Sequence, residues 1–143
     1  MPSTAGYSGT PLWKKLGLAA GQRICVIDAP QPYGTLVPDA PQPLLLQPRP
    51  DAMLALVHLF VEQRSVLARH LAALRKTLAP DAVLWVSWPK KASKRPTDIT
   101  EDVIRELALP LGWVDIKVCA VDATWSGLKL VVRVSERPRP APR

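Results

Sequence analysis

The order of apolar runs, helical stretches and turn signals predicts an α/β fold: a three-layer sandwich on a small, mostly parallel sheet with a C-terminal antiparallel hairpin. Three observations carry this. Ile24–Asp28 (ICVID), Met53–Val61 (MLALVHLFV) and Ala82–Trp88 (AVLWVSW) are apolar without alternation, as strands buried on both faces are. Helical periodicity separates the later runs, and parallel strands joined by right-handed crossovers are the usual solution to such an order. Two further β-rich runs, Val114–Val121 and Leu128–Val134, flank the turn-rich link Asp122–Gly127 and predict the hairpin.

The elements follow in order. Residues 1–10 are small and polar, which predicts a flexible N-terminus. Thr10 suits an N-cap and Pro11 a first helical position, so Pro11–Leu16 reads as a short helix ended by Gly17. Seven prolines between residues 30 and 50 each remove a backbone donor. That stretch reads as a rigid connection, with Leu44–Gln47 at most a short edge strand, and it leaves one side of the sheet thinly covered. Glu62–Leu78 carries Val66, Leu67, Leu71, Leu74 and Leu78 at helical spacing, and Pro80 with Asp81 stops it. Asp98 with Glu101 three positions on resembles a capping box, opening a helix to about Leu109 that buries Val103, Ile104, Leu107 and Ala108. The proline- and arginine-rich stretch 137–143 predicts a disordered tail, leaving one domain over 11–136.

Composition excludes several classes. The longest apolar run is far below the roughly 18 residues of a membrane span, and the first twenty residues lack an export signal. The net charge of +7 is local. Lys90, Lys91, Lys94 and Arg95 crowd one loop, and Arg137, Arg139 and Arg143 lie at the end. Without those seven, basic and acidic residues stand at 12 each, so the body is neutral. A nucleic-acid groove needs a basic face spread along the fold, and a pI of 9.9 overstates that case. Cys25 and Cys119 sit in apolar runs with no neighbour at metal-ligand spacing. They read as reduced thiols in a cytoplasmic protein, and no metal is expected.

Ligands of open α/β sheets bind beyond the carboxyl ends of the strands. That rule collects Asp28, His58, Trp88 and the loop bearing Lys90, Lys91, Lys94 and Arg95 as binding candidates. Asp28 suits a cap on the turn after it or, as a binding candidate, a hydrogen bond to a ligand hydroxyl. His58, inside LVHLF, is a candidate base or a neutral core histidine with a backbone hydrogen bond. Trp85 and Trp88, three apart in one strand, point to opposite faces, with Trp85 in the core and Trp88 a core residue or a pocket wall. Trp125 falls in the hairpin turn. Four crowded cations read either as a solvated charged loop or as a site for an anionic partner. Asp98, Glu101 and Asp102 at the next helix start oppose a tightly held phosphate and favour an acidic protein surface.

Two stretches carry a resemblance. SGTPLWKKLGL at 8–18, with DAP at 28–30, and LWVSWPKKASKRPTDITEDVIRELALPLGWVDIKVCAVDATWSGLKLV at 84–131 resemble a bacterial family of small proteins of unknown function. The element order from residue 53 onward resembles the second half of a Rossmann-like methyltransferase, with Ile24–Asp28 as the first strand. The resemblance implies a truncated version of that fold. It also implies a glycine-rich turn after the first strand, where this chain has Asp28-Ala29-Pro30-Gln31-Pro32-Tyr33-Gly34, and an acid after the second strand, where only Asp39 and Asp51 stand. No cofactor is therefore expected, and S-adenosylmethionine least of all. The sequence reading favours a non-catalytic ligand- or partner-binding domain and leaves catalysis open. The alternative is an enzyme or cofactor-binding protein of degenerate methyltransferase type with a non-standard site near His58 and Asp28. A nucleic-acid accessory protein is the third reading.

Overall fold

Strands rich in β-branched and aromatic residues pair into one sheet in the computed structural model, which describes residues 9–137. The strands are β1 (Arg23–Ile27), β2 (Leu45–Leu46), β3 (Leu56–Phe60), β4 (Val83–Pro89), β5 (Trp113–Ala120) and β6 (Trp125–Val132). Their order across the sheet is β2-β1-β3-β4-β6-β5. The first four pair in parallel, with Val26 opposite His58 and His58 opposite Trp85. β6 runs antiparallel to both β4 and β5. The mostly parallel sheet with its antiparallel hairpin is therefore present.

Side chains alternate across each strand and build two apolar layers. On one face Val57, Leu59, Leu84, Val86, Trp88 and Leu130 meet α3 (Arg64–Thr77) and α4 (Glu101–Ala108). α3 buries Leu67, Leu71 and Leu74, the predicted stripe. On the other face Ile24, Leu56, Phe60 and Trp85 meet α1 (Leu12–Leu16) and the segment after β1. A fully buried leucine contributes about 1.5–3 kcal/mol, so both layers matter to stability.

That second layer corrects one expectation. The connection 30–50 does cover the sheet: it forms a four-residue helix, α2 (Tyr33–Leu36), and buries Tyr33, Val37 and Ala40. Prolines limit helix length without preventing side chains from packing. The edge strand β2 stays exposed, Leu46 at 55%.

Element ends also move. Pro11 is the N-cap of α1, not its first residue, because its carbonyl accepts the first helical bonds, from the N–H groups of Lys14 and Lys15. β3 starts at Leu56, since the Asp51 carboxylate accepts the Met53 N–H at 2.8 Å in a turn that leaves Met53 exposed. In β1 only Ile24 and Cys25 are buried, while Val26 and Ile27 are half-buried. Thr100, not Asp98, caps α4, accepting the Val103 N–H at 3.2 Å. Asp98 instead accepts the Arg64 N–H at 2.6 Å and caps α3 from across the fold. Along α4 only Ile104 and Ala108 are buried, with Val103 and Leu107 half-buried. Trp125 is the first residue of β6 and is buried, and the Asp122 carboxylate holds a shorter turn by accepting the N–H groups of Thr124 and Trp125. Most of the expected flexible N-terminus, residues 1–8, and of the tail, 138–143, lies outside the described residues. Among the described residues no helix is long and apolar enough to cross a membrane.

Candidate functional site

From β1 the chain crosses to β2 on one side and returns to β3 on the other. The strand order thus reverses between β1 and β3, and open α/β sheets bind ligands at the carboxyl ends of such a pair. A cleft of about 260 Å³ opens there, walled by Asp28, Phe60, Glu62, Val66, Arg95 and Trp125. Asp28 follows the last residue of β1 with φ +58°, in the left-handed region. Aspartate tolerates that conformation better than most residues, although glycine is the default. Asp28 is exposed, and no hydrogen bond among the described residues holds its carboxylate, so it does not cap the turn.

The opposite wall is built on charge and aromatic rings. Arg95 donates from Nε to the Glu62 carboxylate, and its guanidinium lies 5.3 Å from the centre of the Trp125 ring. Trp125 in turn meets Phe60 edge to face, with ring centres 5.3 Å apart. The Thr97 hydroxyl donates to the Glu62 carbonyl at 2.7 Å and ties the basic loop to the end of β3. Two carboxylates, Asp28 and Glu62, face one guanidinium, so the cleft is formally one charge negative.

A groove of about 540 Å³ adjoins it and shares Arg95. Trp88 and Ile99 lie at its floor, Lys91 and Lys94 on one rim, and Thr100 and Glu101 on the other. Lys94 is the second non-glycine residue in the left-handed region, at φ +61°.

The sequence candidates are thus divided. Asp28 and Arg95 share the cleft, while Trp88, Lys91, Lys94 and Arg95 share the groove. Lys90 is on neither wall, and its backbone N–H donates to the Thr124 carbonyl at 2.7 Å. His58 is in the core, not at the rim, with no exposed surface. Its Nδ1 pairs with the Tyr33 hydroxyl and its Nε2 with the Ser87 hydroxyl, each at 2.7 Å, so side chains take the place of the expected backbone partner. Burial lowers its pKa to about 3, which keeps it neutral and unfit to serve as a base in the cleft. Burial raises Tyr33, Cys25 and Cys119 in the same way, each held in its neutral form.

Sequence reasoning missed Phe60 and Glu62, and it singled out Trp125 without placing it at the site. The signal for Glu62 was present: it is the first charged residue after an apolar strand, where the rim must begin. Among the described residues no group of His, Cys, Asp and Glu is placed to hold a metal ion.

No protein-family model and no curated protein matches the chain. Solved structures do. A SAM-dependent methyltransferase from Aquifex aeolicus superposes with a TM-score of 0.56 at 14% identity, over 85% of this chain and 87% of that one. A putative methyltransferase from Thermoplasma acidophilum gives 0.55 at 8% identity, over 92% and 78%. A putative type 11 methyltransferase from Sulfolobus solfataricus gives 0.53 at 14%, over 83% and 75%. The reading as a non-catalytic binding domain does not stand against these likenesses. In fold, the chain is a Rossmann-like α/β protein similar to methyltransferases over most of its length.

Proposed function

We propose that this chain is an enzyme or cofactor-binding protein of degenerate methyltransferase type, whose cleft between β1 and β3 takes a small cationic group. The observation that carries the reading is Asp28: a free carboxylate in a left-handed turn at the switch point of the sheet. A positive group entering there meets Asp28 and Glu62, with the apolar edges of Phe60 and Val66 excluding water.

The residues present do not fit the whole of S-adenosylmethionine, the cofactor such a fold implies. The turn after β1 has no glycine before Gly34, and the helix that follows has four residues. A cofactor resting on backbone therefore finds a carboxylate and prolines in its way. The acid sought after β2 is also missing, since the Asp51 carboxylate is engaged in its own turn. A cleft of 260 Å³ is smaller than the roughly 300–1,000 Å³ of drug-sized sites. What does match is a cationic head alone, a sulfonium or an amine.

The phrases SGTPL, SWPK, TEDVIRE and WSGLKL support membership of the bacterial family of small proteins noted above. Two free thiols, both pushed up by burial, suit a cytoplasmic setting.

The test uses S-methyl-L-methionine, a sulfonium methyl donor without a nucleoside, against L-methionine, its uncharged-sulfur counterpart. In amide and indole NMR spectra the sulfonium is expected to shift Asp28, Glu62 and Trp125 at least tenfold more strongly at equal concentration, and Asp28→Asn to abolish the difference. Equal response to both compounds, or no response at these residues, overturns the reading.

A further inference from the structure

We infer that the groove beside the cleft is a phosphate subsite, so that the ligand carries an anionic phosphate at the end opposite its cationic head. Lys91 and Lys94 stand on its rim, and neither ammonium has an ion pair or hydrogen bond among the described residues. The arginines of this face are matched: Arg95 by Glu62, Arg64 by Glu106, and Arg105 by Glu101, Asp102 and Asp115. Lys90, which lines neither depression, has no ion pair among the described residues either, so the unpaired cations of this loop are its lysines.

The backbone that carries the lysines is braced. Ser93 donates from Oγ to the Lys90 carbonyl at 2.6 Å and accepts the Arg95 N–H at 3.2 Å. Lys94 donates its N–H to the Lys91 carbonyl at 3.1 Å and keeps a left-handed backbone for which glycine is better suited. Strained backbone of this kind gathers at binding sites.

Of the acids at the start of α4, only Glu101 lines the groove. Glu101 pairs at 2.7 Å with an Arg105 that it shares with Asp102 and Asp115, and Asp98 accepts the Arg64 N–H. On the groove itself Lys91 and Lys94 therefore stand against one carboxylate. The floor of Trp88 and Ile99 and the volume of 540 Å³ suit a small molecule. A neutral body gives an extended nucleic-acid backbone little to follow. Because Arg95 borders both depressions, a short molecule with a cation at one end and a phosphate at the other spans them. The cationic end rests on the reading proposed above, whereas the phosphate end stands alone.

The experiment is an NMR titration at low ionic strength, where exposed charges are least screened, with inorganic phosphate, phosphocholine and a single-stranded oligonucleotide. Phosphate is expected to shift the Trp88 indole and the amides of residues 91–95, and Lys91→Ser with Lys94→Ser to weaken this at least tenfold while the spectrum elsewhere stays that of the folded protein. Phosphocholine is expected to bind at least tenfold tighter than phosphate and to shift Asp28 as well. Asp28→Asn should remove that gain and leave phosphate binding unchanged. Phosphate binding without any gain for phosphocholine supports the subsite and overturns the cationic cleft. No response to phosphate, or an undiminished one in the double variant, overturns the subsite. So does oligonucleotide binding that grows with length while both small molecules leave the groove unmoved.

Discussion

The hydroxyl of Tyr33 lies 2.7 Å from Nδ1 of His58, and this contact fastens the short helix after β1 to the middle of the sheet. His58 meets Ser87 through its other nitrogen and stacks on Phe60 at 4.3 Å between ring centres. A neutral imidazole has one donor and one acceptor, so one hydroxyl donates to it and the other accepts. The buried chain Tyr33–His58–Ser87 thus holds α2 against the sheet, and with it the turn that carries Asp28 to the cleft. A long helix would do this by burying a stripe, but α2 has four residues and relies on one aromatic anchor.

Tyr33→Phe keeps the ring and leaves Nδ1 unpaired in the core. The expected cost is about 1–3 kcal/mol, that of an unsatisfied buried polar group. Urea unfolding measures it, and a loss under about 0.5 kcal/mol shows that the hydrogen bond does not anchor the helix.

Acid should destabilise the protein through His58. Its folded pKa is about 3 against an ordinary 6.5, so between those values the unfolded chain binds a proton that the folded chain refuses. Stability therefore rises with pH across that window, is complete above 6.5 and is lost progressively as pH falls toward 3. The slope from this group is at most about 1.4 kcal/mol per pH unit. Unfolding free energies of the wild type and His58→Phe between pH 4 and 6 isolate it, because the carboxylates contribute to both. Equal slopes contradict a neutral buried histidine.

Trp85→Ala should cost about 3–5 kcal/mol, as truncation of buried aromatics does. Trp85 has no exposed surface and donates from Nε1 to the Leu16 carbonyl at 2.9 Å, tying α1 to the sheet. A variant that unfolds at nearly the wild-type denaturant concentration contradicts this placement.

At Asp28 backbone and charge can be separated. Glycine accepts φ +58° without strain, whereas alanine there pays about 1–2 kcal/mol for the left-handed conformation. Asp28→Gly should therefore be about 1 kcal/mol more stable than Asp28→Ala, although both remove the carboxylate. Chemical unfolding of the pair decides it, and equal stabilities argue against the left-handed turn.

Much of this was legible in the sequence. Uninterrupted apolar runs marked β1, β3 and β4, and a helical stripe marked α3, because the burial that drives those elements is written in neighbouring residues. Trp85 and Trp88 were assigned to opposite faces by strand alternation alone, and they pack in opposite layers. Depth along a strand was not legible: LVHLF has no feature that says whether His58 is at the rim or in the centre, and it is in the centre. Long-range partners were equally hidden. Asp98 looked like the cap of its own helix and caps one beginning 34 residues earlier, and Glu62 reaches Arg95 across 33 residues. Local spacing rules describe local bonds, and the cleft is made of distant ones.

Calorimetric titration with S-adenosylmethionine tests most directly whether the methyltransferase site is degenerate. With a carboxylate and prolines where a glycine turn would support the cofactor, dissociation constants no tighter than about 0.1 mM are expected, equivalent to about 5.5 kcal/mol of binding free energy. A dissociation constant of about 1 μM, near 8.2 kcal/mol, would contradict the account and show that the fold keeps a complete cofactor site.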